Sequence, residues 1–116
     1  MPQNPSDHPG PLLVVVTSLP NLDVAKSLAR SLVERNLAAC VQLIDGMQSI
    51  YRWEGKVCEE GEVLLSAKTA ESKWSEICAF IQDAHPYDLP EILAFTPVQY
   101  EERYSQWVRS EVNSTI

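Results

Sequence analysis

The stretch Cys40 to Trp53, CVQLIDGMQSIYRW, reads as one long strand, and it limits the fold more than any other segment. Val41, Leu43 and Asp45 fall on one of its faces, with Gln42 and Ile44 on the other. Gly46 in the middle marks a bulge or bend, after which Ile50-Tyr51 resumes the pattern. Glu54-Gly55-Lys56 is a turn, and Glu59-Glu60-Gly61 reads as a second polar, flexible stretch. The next strand, Glu62 to Thr69, is expected to run antiparallel to the first half of its predecessor. A ribbon of Cys40–Trp53 against Val57–Thr69 overshoots a sheet whose other strands have about six residues. The overhang carries Ile50, Tyr51 and Trp53, and so small a chain has no second layer to cover them. Exposed edges and aromatic surface are usually paired or covered. Another copy of the chain is the economical partner, so a closed homo-oligomer is expected.

The other elements follow from periodicity. Leu12 to Thr17 is a continuous β-branched run, suited to a central strand, and Pro20 ends it. Asn21 is placed to cap a helix in which Ala25, Leu28, Ala29 and Leu32 hold one face, ending near Asn36. A second helix is expected from Glu71 to Ala84, with Trp74, Ile77, Cys78 and Ile81 as its apolar stripe. Pro86 and Pro90 forbid its continuation. Glu91 to Thr96 is a fourth strand, and a last helix from Glu101 to Val112 would place Tyr104, Trp107 and Val108 on one face. The order β-α-β-β-α-β plus a C-terminal helix is an α+β, ferredoxin-like split βαβ arrangement, an antiparallel sheet with helices on one face. One domain is expected over residues 11–116, with residues 1–10 as a flexible tail.

Composition narrows the function. A net charge of −7 with scattered basic residues excludes a primary role on nucleic acid, which needs a basic stripe. No apolar run approaches the roughly 20 residues of a membrane helix, and no secretory signal opens the chain. Cys40, Cys58 and Cys78 are an odd set without metal or redox spacing, which points to a reducing, cytoplasmic setting.

The distinctive chemistry lies in His85-Pro86-Tyr87-Asp88-Leu89-Pro90-Glu91, where two prolines hold His85, Tyr87 and Glu91 in fixed relation. His85 with a carboxylate suits zinc or copper. The same residues also fit a plain structural role, with His85 ending the second helix and Tyr87 packing. Glu59, Glu60 and Glu62 form an acidic cluster that fits a solvated turn better than a calcium loop. Lys68 is expected to pair with Glu91. Cys40 and Cys78 read as core residues, Cys58 as the most exposed thiol, and Trp53, Trp74 and Trp107 as core or interface residues. No phosphate-cradling glycine loop and no Ser-His-Asp pattern is present, so no enzymatic activity is expected.

Leu37-Ala38-Ala39-Cys40-Val41, Ile50-Tyr51-Arg52-Trp53-Glu54-Gly55-Lys56, Glu62 with Lys68-Thr69, and His85-Pro86-Tyr87 with Pro90-Glu91 occur in an order and spacing that resemble the CutA family of divalent-cation tolerance proteins. The resemblance covers roughly Leu12 to Trp107 and implies a ferredoxin-like subunit in a tight homotrimer. It also implies association with copper and other divalent cations, and no established reaction. Animal relatives have been linked to anchoring a membrane enzyme; no membrane partner is expected here, where no hydrophobic leader is seen. Copper ligands described in bacterial relatives map to Thr17, Ala84 and His85, so only His85 keeps a ligating side chain. The alternative is a trimeric small-molecule sensor of the PII kind, or an assembly adaptor, using clefts between subunits.

Overall fold

The computed structural model describes residues 11–113, and the tail expected over residues 1–10 lies outside them. The described residues form four strands and three α-helices: β1 (Leu12–Leu19), α1 (Leu22–Glu34), β2 (Cys40–Trp53), β3 (Lys56–Ala70), α2 (Trp74–Ala84), β4 (Ile92–Phe95) and α3 (Glu102–Val112). The strands form one sheet in the order β2-β3-β1-β4, every neighbouring pair antiparallel. This is the ferredoxin-like split βαβ fold expected from the element order.

Local chemistry explains the helix limits. Asn21 is extended, and its side-chain oxygen accepts from the Val24 N–H at 2.9 Å, which starts α1. Asn36 closes the helix in the left-handed region at φ 59°, where an Asn is tolerated, and the Leu37 N–H returns to the Leu32 carbonyl. The Asn36 amide also donates to the Glu111 carbonyl, tying the end of α1 to α3. The second helix starts later than periodicity suggests. Glu71–Lys73 form a 3₁₀ turn and the α-helix proper begins at Trp74, a common tightening at helix starts.

The core lies between the sheet and α1 and α2. Leu13, Val15 and Leu19 of β1 and Val63, Leu65 and Ala67 of β3 alternate inward against Ala25, Leu28, Leu32, Ile77 and Ile81. Cys78 is only half-buried at the margin of the expected stripe, as are Cys40 and Cys58, so no one thiol stands out as exposed. α3 packs against β3 and β1. Its buried residues are Ser105, Val108 and Val112, whereas Tyr104 and Trp107 stay about two-fifths exposed, their ring centroids 5.8 Å apart. The expected grouping of Tyr104 and Trp107 with Val108 is therefore corrected. The small and branched residues at i, i+3 and i+7 fit close to the sheet, which leaves the bulky rings outside.

The β2–β3 ribbon gives the molecule its long axis, with extents of 57 × 29 × 22 Å. Trp53 pairs with Lys56 across a two-residue turn in which Glu54 (φ 51°) and Gly55 (φ 79°) both take positive φ, the geometry that matches strand twist. Glu59-Glu60-Gly61, expected as a flexible stretch, is instead strand, pairing with Gln48, Ser49 and Ile50. A ribbon beyond the sheet faces solvent on both sides, so its sequence lacks the apolar alternation that marks a half-buried strand.

Between the pairs Ile44↔Leu64 and Met47↔Glu62, β2 spends Asp45 and Gly46 where β3 spends only Val63. Gly46 sits at φ 81°, with its N–H donating to its neighbour Asp45's carboxylate at 2.8 Å. This bulge shifts the alternation by one residue. Before it, Val41 and Leu43 face the helices. Beyond it, Met47, Ser49, Tyr51 and Trp53 join Glu62, Glu60 and Cys58 on the opposite face. Among the described residues no helix is long and apolar enough to cross a membrane.

Gly55→Val should cost about 1–2 kcal/mol, because a branched side chain is forced into the left-handed region. Gly55→Asn should cost less, since Asn visits that region. Denaturant midpoints of the two variants check the ranking.

Candidate functional site

The 85–91 connection wraps from the end of α2 toward the face that the bulge has turned outward. His85 anchors it. Its backbone N–H donates to the Ile81 carbonyl, closing α2. Its ring is 8 % exposed and uses both nitrogens: Nε2 lies 2.8 Å from the Ser18 carbonyl, and Nδ1 accepts from the Tyr87 N–H at 3.1 Å. A carbonyl can only accept, so the proton sits on Nε2. The imidazole thus joins the end of β1 to the turn carrying Tyr87, whose ring centroid is 4.8 Å away.

Tyr87 reaches on to Glu62. Its hydroxyl donates to Glu62 Oε2 at 2.7 Å, and Glu62 is itself only 8 % exposed. Burial first, and the adjacent Glu62 carboxylate second, push the Tyr87 phenol well above the ordinary tyrosine range. Glu60, diagonal to Tyr51 on the neighbouring strand, raises the Tyr51 phenol in the same direction. Glu91 closes the other side, accepting from the Ser18 hydroxyl at 3.3 Å.

These side chains line an open cleft of about 740 Å³. Glu60, Glu62 and Glu91 supply its acidic groups, with Ser18 and Ser49 between them, while Ile50, Tyr51, Trp53, Tyr87 and Leu89 form its apolar and aromatic surface. Among the described residues, no Lys, Arg or His lines the cleft. Sequence reasoning identified His85, Tyr87, Glu91, Glu60 and Glu62 separately. It missed that the bulge brings Tyr51 and Trp53 onto the face where Glu60, Glu62 and the loop already stand. The signal available was Gly46 at the centre of an otherwise regular strand.

Other expected site residues lie apart. Lys68 does not meet Glu91. Its ammonium donates to Gln42 Oε1 at 2.7 Å and to the Ser66 hydroxyl at 3.3 Å. Lys68 pairs with Cys40, near the far end of β3, whereas Ser18, the partner of Glu91, lies opposite Leu64. Four residues of strand, about 13 Å, separate those positions. Thr17 is fully buried on the helix-facing side, and its hydroxyl has no hydrogen-bond partner among the described residues. Ala84 is exposed and offers no ligand atom. The residues therefore do not assemble a thiolate–bis-imidazole copper set. Among the described residues, no group of three or more His, Cys, Asp or Glu is close enough to hold a metal ion within one chain. Glu60, Glu62 and Glu91 are oxygen donors, which suit hard or borderline divalent ions.

The CutA1 divalent ion tolerance protein family matches residues 13–111. The chain belongs to that family. It is similar to human Protein CutA, 42% identical over 106 residues, which are 91% of this chain and 59% of the human protein. It is also similar to the divalent-cation tolerance protein CutA of Thermus thermophilus, 40% identical over 96 residues, 83% of this chain and 93% of that one. The chain thus spans about three-fifths of the human relative and nearly all of the bacterial one. Among solved structures, CutA1 from Oryza sativa superposes with a TM-score of 0.87 at 35% identity, covering 91% of this chain and 97% of that one. The family is one of divalent-cation tolerance and is not a known enzyme family.

A phenol with a raised pKa stabilises the fold below the ordinary tyrosine value of 10.0 and loses that contribution as pH climbs beyond it. Tyr87 should be the last tyrosine to ionise in an ultraviolet titration of tyrosinate. Tyr87→Phe should remove that last step and lessen the loss of stability at alkaline pH. Loss of a step near the ordinary tyrosine value of 10.0 in Tyr87→Phe, in place of the last one, would contradict the Glu62 contact.

Proposed function

We propose that this chain supports tolerance of divalent cations as a homotrimer that binds the ions, copper among them, at the acidic cleft between the β2–β3 ribbon and the 85–91 loop. The observation that carries this reading is the Glu62 carboxylate, buried yet lining a cleft shared with Glu60 and Glu91. Relatives named for divalent-cation tolerance give the ion class. Binding, and not catalysis, is the role assigned. His85 enters as the metal ligand expected from the sequence. To coordinate an ion it must exchange the Tyr87 N–H at Nδ1 for the metal, which couples ion binding to the loop.

Assembly supplies what one chain lacks. Ile50 is 67% exposed, Val57 66% and Phe95 55%. Together with Leu93 they leave apolar surface on the ribbon and the β4 edge, the kind of surface that oligomers bury. Neighbouring subunits would then bring further donors to each cleft. The free thiols Cys40, Cys58 and Cys78 agree with a reducing, cytoplasmic location. A second reading is favoured by the aromatic walls of the cleft, which a bare ion does not use: a trimeric small-molecule sensor, as in PII-like proteins.

Calorimetric titration with Cu²⁺ and Zn²⁺ should give saturable binding. Substituting Glu60→Gln together with Glu91→Gln should weaken it by roughly tenfold through lost ligand charge. Equal weak heats for wild type and His85→Ala, with folding confirmed by circular dichroism, would remove His85 from the site. Sedimentation at dilute concentration should give three times the chain mass, shifting toward monomer in Ile50→Asp. A stable wild-type monomer would overturn the assembly.

A further inference from the structure

The cleft has a mismatch that a metal ion alone does not resolve. Glu62 is 8 % exposed, yet it receives one hydrogen bond, from Tyr87, at Oε2. Its Oε1 has no protein partner among the described residues, although a carboxylate has room for about four acceptor contacts. A buried anion needs a compensating cation or a full set of hydrogen bonds. Among the described residues no Lys or Arg forms an ion pair with Glu60, Glu62 or Glu91, and no basic side chain lines the cleft. Glu62 Oε1 opens onto the cleft, so solvent or a bound cation can meet its charge there. The carboxylates are too dispersed to close on one small ion within a chain. The volume, about 740 Å³, falls in the range that encloses a small organic molecule. The walls of Tyr51, Trp53 and Leu89 offer apolar and aromatic contact that a hydrated ion gains nothing from. Trp and Tyr faces attract a cation carried on an organic stem, as carboxylates do.

We propose that this cleft binds an organic cation, a primary ammonium or guanidinium group borne on an apolar stem, with the charged head at Glu62 and Glu91 and the stem against Tyr51 and Trp53. The proposal rests on the small-molecule reading of the cleft and names the ligand class. The Tyr87 hydrogen bond holds the Glu62 carboxylate in place, and because Tyr87 stays protonated it remains a donor throughout the neutral range. Divalent cations and the organic cation draw on the same carboxylates, so each should displace the other.

The test is titration of the intact, assembled protein with phenethylammonium chloride, followed by tryptophan fluorescence and calorimetry, beside neutral 2-phenylethanol and anionic 3-phenylpropionate. Saturable binding of the ammonium probe alone is expected. It should weaken by about tenfold or more in Glu62→Gln and in the exposed Trp53→Ala and Glu91→Gln variants, which report even if Glu62→Gln folds poorly. Equal binding of 2-phenylethanol would overturn the cationic assignment and leave the small-molecule reading standing. Binding of none of the three would overturn both. Saturable Zn²⁺ binding without the ammonium probe would sink this proposal and keep the ion-binding role. Ammonium binding without Zn²⁺ would support the proposal against that role.

Discussion

Two residues of β2 set against one of β3 determine where the chemistry of this protein stands. Up to Ile44 the strand is governed by the core, and Val41 and Leu43 point toward the helices. After Asp45 and Gly46 the alternation has slipped by one, and Tyr51 and Trp53 share a face with Glu60 and Glu62. A strand has a side-chain period of two, so a single extra residue moves every later side chain to the other face. Without the bulge, Tyr51 and Trp53 would lie on the face away from Glu62. The backbone accepts it at Gly46 because glycine adopts φ 81° without a steric penalty.

The second constraint is the chain of contacts from Ser18 through His85 and Tyr87 to Glu62. Each link uses a different kind of group: a strand carbonyl, an imidazole with both nitrogens engaged, a backbone N–H and a phenol. Its effect is mechanical as well as electrostatic. The end of β1, the end of α2 and the middle of β3 are held in one arrangement, which fixes the position of a buried carboxylate. Low local dielectric strengthens such a network when it is satisfied and makes any gap in it costly. Glu62 is where the network ends, facing the cleft. The proposed binding of divalent and of organic cations draws on this same cleft-facing carboxylate.

The fold was largely legible because its signals are local. The strand Cys40–Trp53 has the same limits in sequence and structure, and Asn21 caps α1 as its type and position suggest. The site was legible as parts. His85, Tyr87 and Glu91 stand out beside prolines, and Glu60 and Glu62 stand out as charge, but their convergence did not show. Errors came where tertiary contact outweighs pattern. Charge alone pairs Lys68 with Glu91, yet the strand spacing keeps them apart and Gln42 takes the ammonium. Helical spacing groups Tyr104 and Trp107 with Val108, yet the residues of α3 buried against the sheet are Ser105, Val108 and Val112.

The order of elements, the length of the ribbon and the net negative charge follow from the sequence alone, since these depend on near neighbours and on composition. Only the tertiary structure decided which face the ribbon's side chains take, which nitrogen of His85 meets which partner, and that one carboxylate is buried beside an open cleft. Those outcomes depend on register and on contacts between residues far apart in the chain. Such contacts leave no periodic trace, because a one-residue slip changes the face of a side chain without changing its neighbours in sequence.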